Sequence, residues 1–175
     1  MALGRFCSVA MLAGCWLAAS VSTGFSAKES GLTTSGLPVP RYVSLKSDHV
    51  NVRAGPTKDN DVAWIYTRSG LPVEITAEYE NWRRVRDSEG AEGWVYHSLL
   101  SGRRTAVVTM KTKGELAPLY DRADPSSAVA ARLQAGVVAQ VKKCVSGWCR
   151  VVGTGFDGWI EQQRLWGVYA DEKVD

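Results

Sequence analysis

The chain has 175 residues, 45% of them hydrophobic and 22% charged, and a formal net charge of +3. That leaves room for one ordinary domain or two very small ones, in the proportions of a globular protein. The charge is too mild for a nucleic-acid binder, which needs a concentrated basic face: beyond residue 27 there are 20 basic and 18 acidic residues.

The first residues read as an export signal. Arg5 is a short positive start, an apolar small-residue run follows from Cys7 to Val21, and the next charge is Lys28. This is the layout of a secretory signal peptide over residues 1–27. The run is shorter than the roughly 20 residues of a spanning helix, so no transmembrane segment is expected in the mature chain. A rival reading is a lipoprotein box at Leu12-Ala13-Gly14-Cys15, with Cys15 acylated. The apolar Trp16-Leu17-Ala18-Ala19 that follows is not tether-like and favours the ordinary signal. Export places the chain in the periplasm or outside the cell, where thiols oxidise. Cys7 and Cys15 leave with the signal, and Cys144 and Cys149 remain as an even pair.

Residues 28–41 read as a linker, with Gly31, Gly36, Pro38 and Pro40 and no periodicity. After it the chain repeats. Gly70 precedes Trp82 by twelve positions, and Gly136 precedes Trp148 by twelve. Gly93-Trp94-Val95 is matched by Gly158-Trp159-Ile160, and Leu100 and Gly102 by Leu165 and Gly167. Val43-Ser44-Leu45-Lys46 opens the first copy and Val108-Thr109-Met110-Lys111 the second. Two units of about 60 residues share one plan.

Both units read as strands. Leu71, Val73, Ile75 and Ala77 alternate with Pro72, Glu74 and Thr76, as Val137, Ala139 and Val141 do in the second copy. Val50-Asn51-Val52, Trp82–Val85 and Gly93–Tyr96 are short β-rich runs bounded by turn residues. Five or six strands in about 60 residues must close on themselves or leave raw edges, which predicts small barrels. Barrels this size are marginal alone. Joined by only Arg103-Arg104-Thr105, the two are expected to pack together.

The residues also carry a family resemblance. Val50-Asn51-Val52-Arg53-Ala54-Gly55-Pro56, Gly70–Ile75, Asn81-Trp82-Arg83-Arg84-Val85 and Gly93-Trp94-Val95 resemble the bacterial SH3 (SH3b) domain. The second copy keeps Gly147–Val151 and Gly158-Trp159-Ile160 but has Leu116-Ala117-Pro118-Leu119 where the Asn-Val-Arg block would stand. Leu165-Trp166-Gly167-Val168-Tyr169 looks like a subgroup of exported tandem SH3-like proteins. The resemblance implies an all-β fold of two tandem SH3-like barrels, residues 42–103 and a degenerate 105–169. It also implies non-catalytic binding of cell-wall material or peptides, though a fold alone does not assign a ligand.

Catalysis would need Cys144 or Cys149 as nucleophile with His49 or His97 as base. The spacing argues instead for a disulfide. Cys144 ends an alternating strand, Val145-Ser146-Gly147 turns, and Cys149 starts the next strand. At the matching positions of the first copy stand Glu78 and Arg83, a favourable cross-strand pair expected to be weak, at most about 1 kcal/mol. Two isolated histidines and no clustered carboxylates give no metal set, and Gly153-Thr154-Gly155 has no helix after it to bind phosphate. No cofactor is expected.

The repeated Trp94 and Trp159 read as framework. Trp64 has Ala130 as its counterpart, so the fold does not demand an aromatic there. Arg53, Tyr66, Tyr79 and Tyr96 also lack matches in the second copy. Arg53, Trp64, Tyr66, Tyr79 and Tyr96 are therefore the candidate binding set, with a barrel–barrel interface as the alternative use of the same residues. Arg83, Arg84, Arg86, Arg103 and Arg104 could hold an anionic polymer, but solvated strand faces explain them as well. The leading expectation is a cell-envelope recognition module that binds peptidoglycan or its peptide stems, with Arg53 pairing a carboxylate. The alternatives are a module docking an extended peptide of an envelope protein and an accessory of an envelope enzyme.

Overall fold

The computed structural model describes residues 34–110, 112 and 114–175. The expected signal peptide, Cys15 and the start of the linker lie outside them. Fourteen strands form two seven-stranded antiparallel sheets, one per repeat, and the described residues include no α-helix.

Barrel 1 holds β1 (Arg41–Leu45), β2 (Val50–Arg53), β3 (Val62–Tyr66), β4 (Pro72–Tyr79), β5 (Trp82–Arg86), β6 (Glu92–Tyr96) and β7 (Leu100–Ser101). Barrel 2 holds β8 (Thr105–Val108), β9 (Ala117–Tyr120), β10 (Val129–Leu133), β11 (Val138–Val145), β12 (Trp148–Gly153), β13 (Phe156–Glu161) and β14 (Leu165–Trp166). The sheet orders match, β3-β2-β6-β5-β4-β1-β7 and β10-β9-β13-β12-β11-β8-β14. A short 3-10 turn precedes the last strand of each, at His97–Leu99 and Gln162–Arg164.

The strand alternation sets the cores. Val50 and Val52, Val73 and Ile75, Val85 and Val95 turn inward with Leu45 in barrel 1. Leu119, Val151, Ile160 and their neighbours do so in barrel 2. Each side chain of this kind removed from water stabilises by roughly 1.5–3 kcal/mol. Of each Gly-Trp pair it is the glycine that faces inward. Gly93 and Gly158 are buried, while Trp94 and Trp159 on the opposite face are half-buried.

The repeat is offset differently along the chain. The N–H groups of Leu45 and Val108 donate to the carbonyls of Leu71 and Val137, the residues just before β4 and β11, and their own carbonyls accept from Gly70 and Gly136. The counterpart of Val43–Lys46 is therefore Ala106–Thr109, two residues earlier than the sequence alignment puts it. Alternating patterns cannot detect a shift of two. Trp64, opposite Val52, corresponds to Ala131, opposite Leu119, rather than to Ala130.

The barrels pack on each other. Tyr42 meets the rings of Trp166 and Tyr169, at centroid distances of 5.1 and 4.6 Å. Pro72 and Glu74, on the outer face of β4 by alternation, are buried there, Glu74 being 3% exposed. Glu74 accepts from Arg86 of its own barrel and from the Tyr169 hydroxyl of the other. Arg68 also donates to the Gly136 carbonyl across the junction, at 3.1 Å.

Candidate functional site

A bulge gives the β4–β5 and β11–β12 hairpins their chemistry. Register shifts between Ile75 and Ala77 in one and between Val141 and Lys143 in the other. One extra residue moves the inward face from odd to even positions along β4. Glu78 and Cys144 consequently turn inside. Cys144 and Cys149 lie opposite each other and are joined, Sγ to Sγ at 2.01 Å. Neither is a thiol available as a nucleophile.

Glu78 and Arg83 also lie opposite each other, with Arg83 Nε 3.1 Å from Glu78 Oε1. The expectation of a weak surface pair is corrected here, because the Glu78 side chain is only 1% exposed. Arg41 supplies a second guanidinium, and the Ser35 hydroxyl donates at 2.8 Å. Ser35 lies in the stretch expected to be linker. Sequence alternation continued through the bulge puts Glu78 outside, which is why its burial was missed.

The five candidate residues do not converge. Arg53 and Tyr96 share one groove of about 310 Å3 with Asn51, Lys58, Trp82 and Ser98. The Trp82 and Tyr96 rings meet edge to face at 5.4 Å, since they face each other across β5 and β6. Arg53 ends β2, and its Nη1 donates to the Asn60 carbonyl. Trp64 and Tyr66 stand together on β3, at 6.1 Å. Trp64 packs against the core and lies across Gly93. The Tyr66 hydroxyl donates to Asp87 Oδ2 at 2.9 Å. Its burial, with that acceptor, pushes the phenol well above its usual range. Tyr79 stands apart at the β4–β5 hairpin tip, 51% exposed. None of the five contributes to the barrel junction contacts above.

Lys58 and Trp82 are the residues sequence reasoning missed at this groove. Lys58 lies in the β2–β3 loop, where nothing periodic marks it, and Trp82 recurs as Trp148, so a search for residues that differ between the copies passes over it.

Four of the five arginines that could have held an anionic polymer are already neutralised, and only Arg103 of that set has no ion pair among the described residues. Arg83, Arg84, Arg86 and Arg104 are ion-paired with Glu78, Glu92, Glu74 and Glu172. Arg53 and Lys58 have no carboxylate partner among the described residues. The groove is a cationic and aromatic cleft that suits a small anionic group on an organic body. Among the described residues no cluster of His, Cys, Asp or Glu could hold a metal ion. No described helix is long and apolar enough to cross a membrane.

Residues 46–102 and 113–167 each match the family described as Bacterial SH3 domain. No curated protein matches the chain. Among solved structures, NlpC2 from Trichomonas vaginalis is similar at 15% identity, covering 73% of this chain and 48% of that one, with a TM-score of 0.31. NlpC1 from the same organism is similar at 15% identity, covering 72% and 45%, with a TM-score of 0.30. The chain spans about half the length of these two structures.

Proposed function

Because the chain belongs to the bacterial SH3 domain family, with one matching region in each barrel, we propose that it is an exported, non-catalytic recognition module of the cell envelope that binds the peptide stems of peptidoglycan. The observation that carries this reading is the groove between β2, the β2–β3 loop and β6. Arg53 and Lys58 stand there without acidic partners, beside the rings of Trp82 and Tyr96. A stem-peptide carboxylate pairs with Arg53 through the guanidinium edge not used on Asn60. Its aliphatic body lies on the aromatic wall.

Co-sedimentation with purified sacculi tests the proposal. The wild type is expected in the pellet, and Arg53→Ala with Lys58→Ala largely in the supernatant. Tyr79→Ala, outside the groove, should pellet as the wild type does. A wild type that stays in solution, or a double variant that pellets fully, overturns the reading. In the second case an envelope protein with an extended segment becomes the better ligand class.

A further inference from the structure

Barrel 2 offers a groove of its own, with the charge reversed. The shared scaffold shows how. Trp82 and Trp148 open equivalent strands, and the residues opposite them are Tyr96 and Glu161. The next residue in each copy starts the 3-10 turn and bonds back to the hairpin tip: His97 N–H to the Asn81 carbonyl at 2.9 Å, Gln162 N–H to the Gly147 carbonyl at 2.8 Å. So the aromatic wall at Tyr96 becomes a carboxylate at Glu161.

The cation is replaced as well. Arg53 lies opposite Trp94, and the residue opposite Trp159 is Tyr120. The Tyr120 ring meets Trp148 edge-on at 5.6 Å, so an aromatic ring stands where barrel 1 has its guanidinium. Tyr120 does not line the open groove of barrel 2, which has a volume of about 450 Å3 and runs from Trp148 and Glu161 along the hairpin tip at Ser146 and Gly147 to Ala170 and Asp171. Its polar walls are Glu161, Gln163 and Asp171, and its apolar surface comes from Leu165, Val168 and Trp148. No lysine or arginine lines it.

Its two acids are differently placed. Glu161 Oε2 accepts from Arg164 Nε at 2.8 Å, but Arg164 also meets Glu115 at 2.9 Å, so these three groups together stay negative. Asp171 has no ion pair or hydrogen bond to its carboxylate among the described residues.

We propose that the barrel 2 groove binds a primary ammonium group carried on an aliphatic chain, as in a lysine-like side chain. Leu165, Val168 and the face of Trp148 receive the methylenes. Glu161 and Asp171 hold the ammonium, which Trp148 also attracts through its ring. The assignment rests on the geometry of barrel 2 and stands apart from the carboxylate reading of barrel 1.

Two-dimensional NMR of the whole chain tests it, with Nα-acetyl-lysine amide as probe and Nα-acetyl-norleucine amide as its uncharged counterpart. The Trp148 indole N–H and the Gln163 side-chain amide are expected to shift saturably with the lysine derivative. The norleucine derivative should bind at least tenfold more weakly. Asp171→Asn, which removes a charge without removing a partner, should weaken the lysine derivative severalfold, and adding Glu161→Gln should abolish saturation. Equal binding of norleucine, or unchanged binding to the double variant, would overturn the charge assignment. Absence of any saturable shift would sink the site itself. Neither result depends on whether Arg53 and Lys58 govern sedimentation with sacculi.

Discussion

The Tyr169 hydroxyl of barrel 2 donates to Glu74 Oε1 of barrel 1 at 2.9 Å. Glu74 is 3% exposed and takes its other oxygen contacts from Arg86. Its burial is possible only because both donors are present. Removing one leaves a buried carboxylate partly unsatisfied, which costs about 1–3 kcal/mol. Tyr169→Phe should lower the urea midpoint accordingly, with little change in far-UV circular dichroism. A loss below about 0.5 kcal/mol would mean that water replaces the hydroxyl at the junction.

Three phenols make the fold sensitive to alkali. Burial, with Glu74 nearby, pushes Tyr42 up to about 12, and burial with carboxylate acceptors pushes Tyr66 and Tyr169 up as well. In the unfolded chain all three ionise near 10. The folded state therefore binds more protons above that value, so stability falls as pH rises. Full stability is expected below about pH 10, with a steep decline from there towards pH 12. Urea midpoints measured across this range should give a slope that Tyr169→Phe reduces by close to one proton. A slope unchanged by that substitution would remove Tyr169 from the linkage.

The two hairpins are locked by different chemistry at one position. The loop closed by Cys144 and Cys149 is short, so the chain-entropy contribution is about 2 kcal/mol. Breaking a buried ion pair by deleting one partner costs about 3–5 kcal/mol, and Glu78 answers to both Arg41 and Arg83. Glu78→Ala is therefore expected to destabilise more than Cys144→Ser with Cys149→Ser. Chemical denaturation of the two variants side by side decides it. The reverse order would show that the arginines find adequate solvation without the carboxylate.

Much of this architecture is legible in the residues, and the gaps have definite causes. The repeat, the strands and the paired positions 78/83 and 144/149 follow from local periodicity and turn residues. The burial of Glu78 does not, because a single bulged residue reverses which face looks inward and leaves no compositional mark. The burial of Glu74 does not either, since it depends on a second barrel covering the outer face of β4. At the candidate groove, Arg53 and Tyr96 come together through the closure of β2 on β6, at the single pair Arg53–Trp94. Sequence comparison of the copies could find both residues but could not separate them from Trp64 and Tyr66, which sit on β3.

The Gly-Trp motif makes the last prediction, and it concerns the glycine. A Cβ on Gly93 would come 2.4 Å from Val52 Cγ1 and 3.0 Å from the Trp64 ring. A Cβ on Gly158 would come 2.7 Å from the Tyr120 carbonyl oxygen and 2.8 Å from Leu119 Cγ. Neither site has room for a methyl group, so both Gly93→Ala and Gly158→Ala should destabilise by at least about 1–3 kcal/mol through overpacking. They should differ in kind. At Gly93 the nearest obstacles are side chains, and Val52 and Trp64 can shift, so the cost should fall in a Gly93→Ala, Val52→Ala double variant. At Gly158 the nearest obstacle is backbone of β9, and truncating Leu119 cannot move it. Double-mutant cycles on urea stability measure this directly. Favourable coupling is expected for Gly93 with Val52 and much less for Gly158 with Leu119. Equal coupling in both barrels would mean that β9 yields as readily as a side chain, and that the motif does not depend on the close approach of β13 to β9.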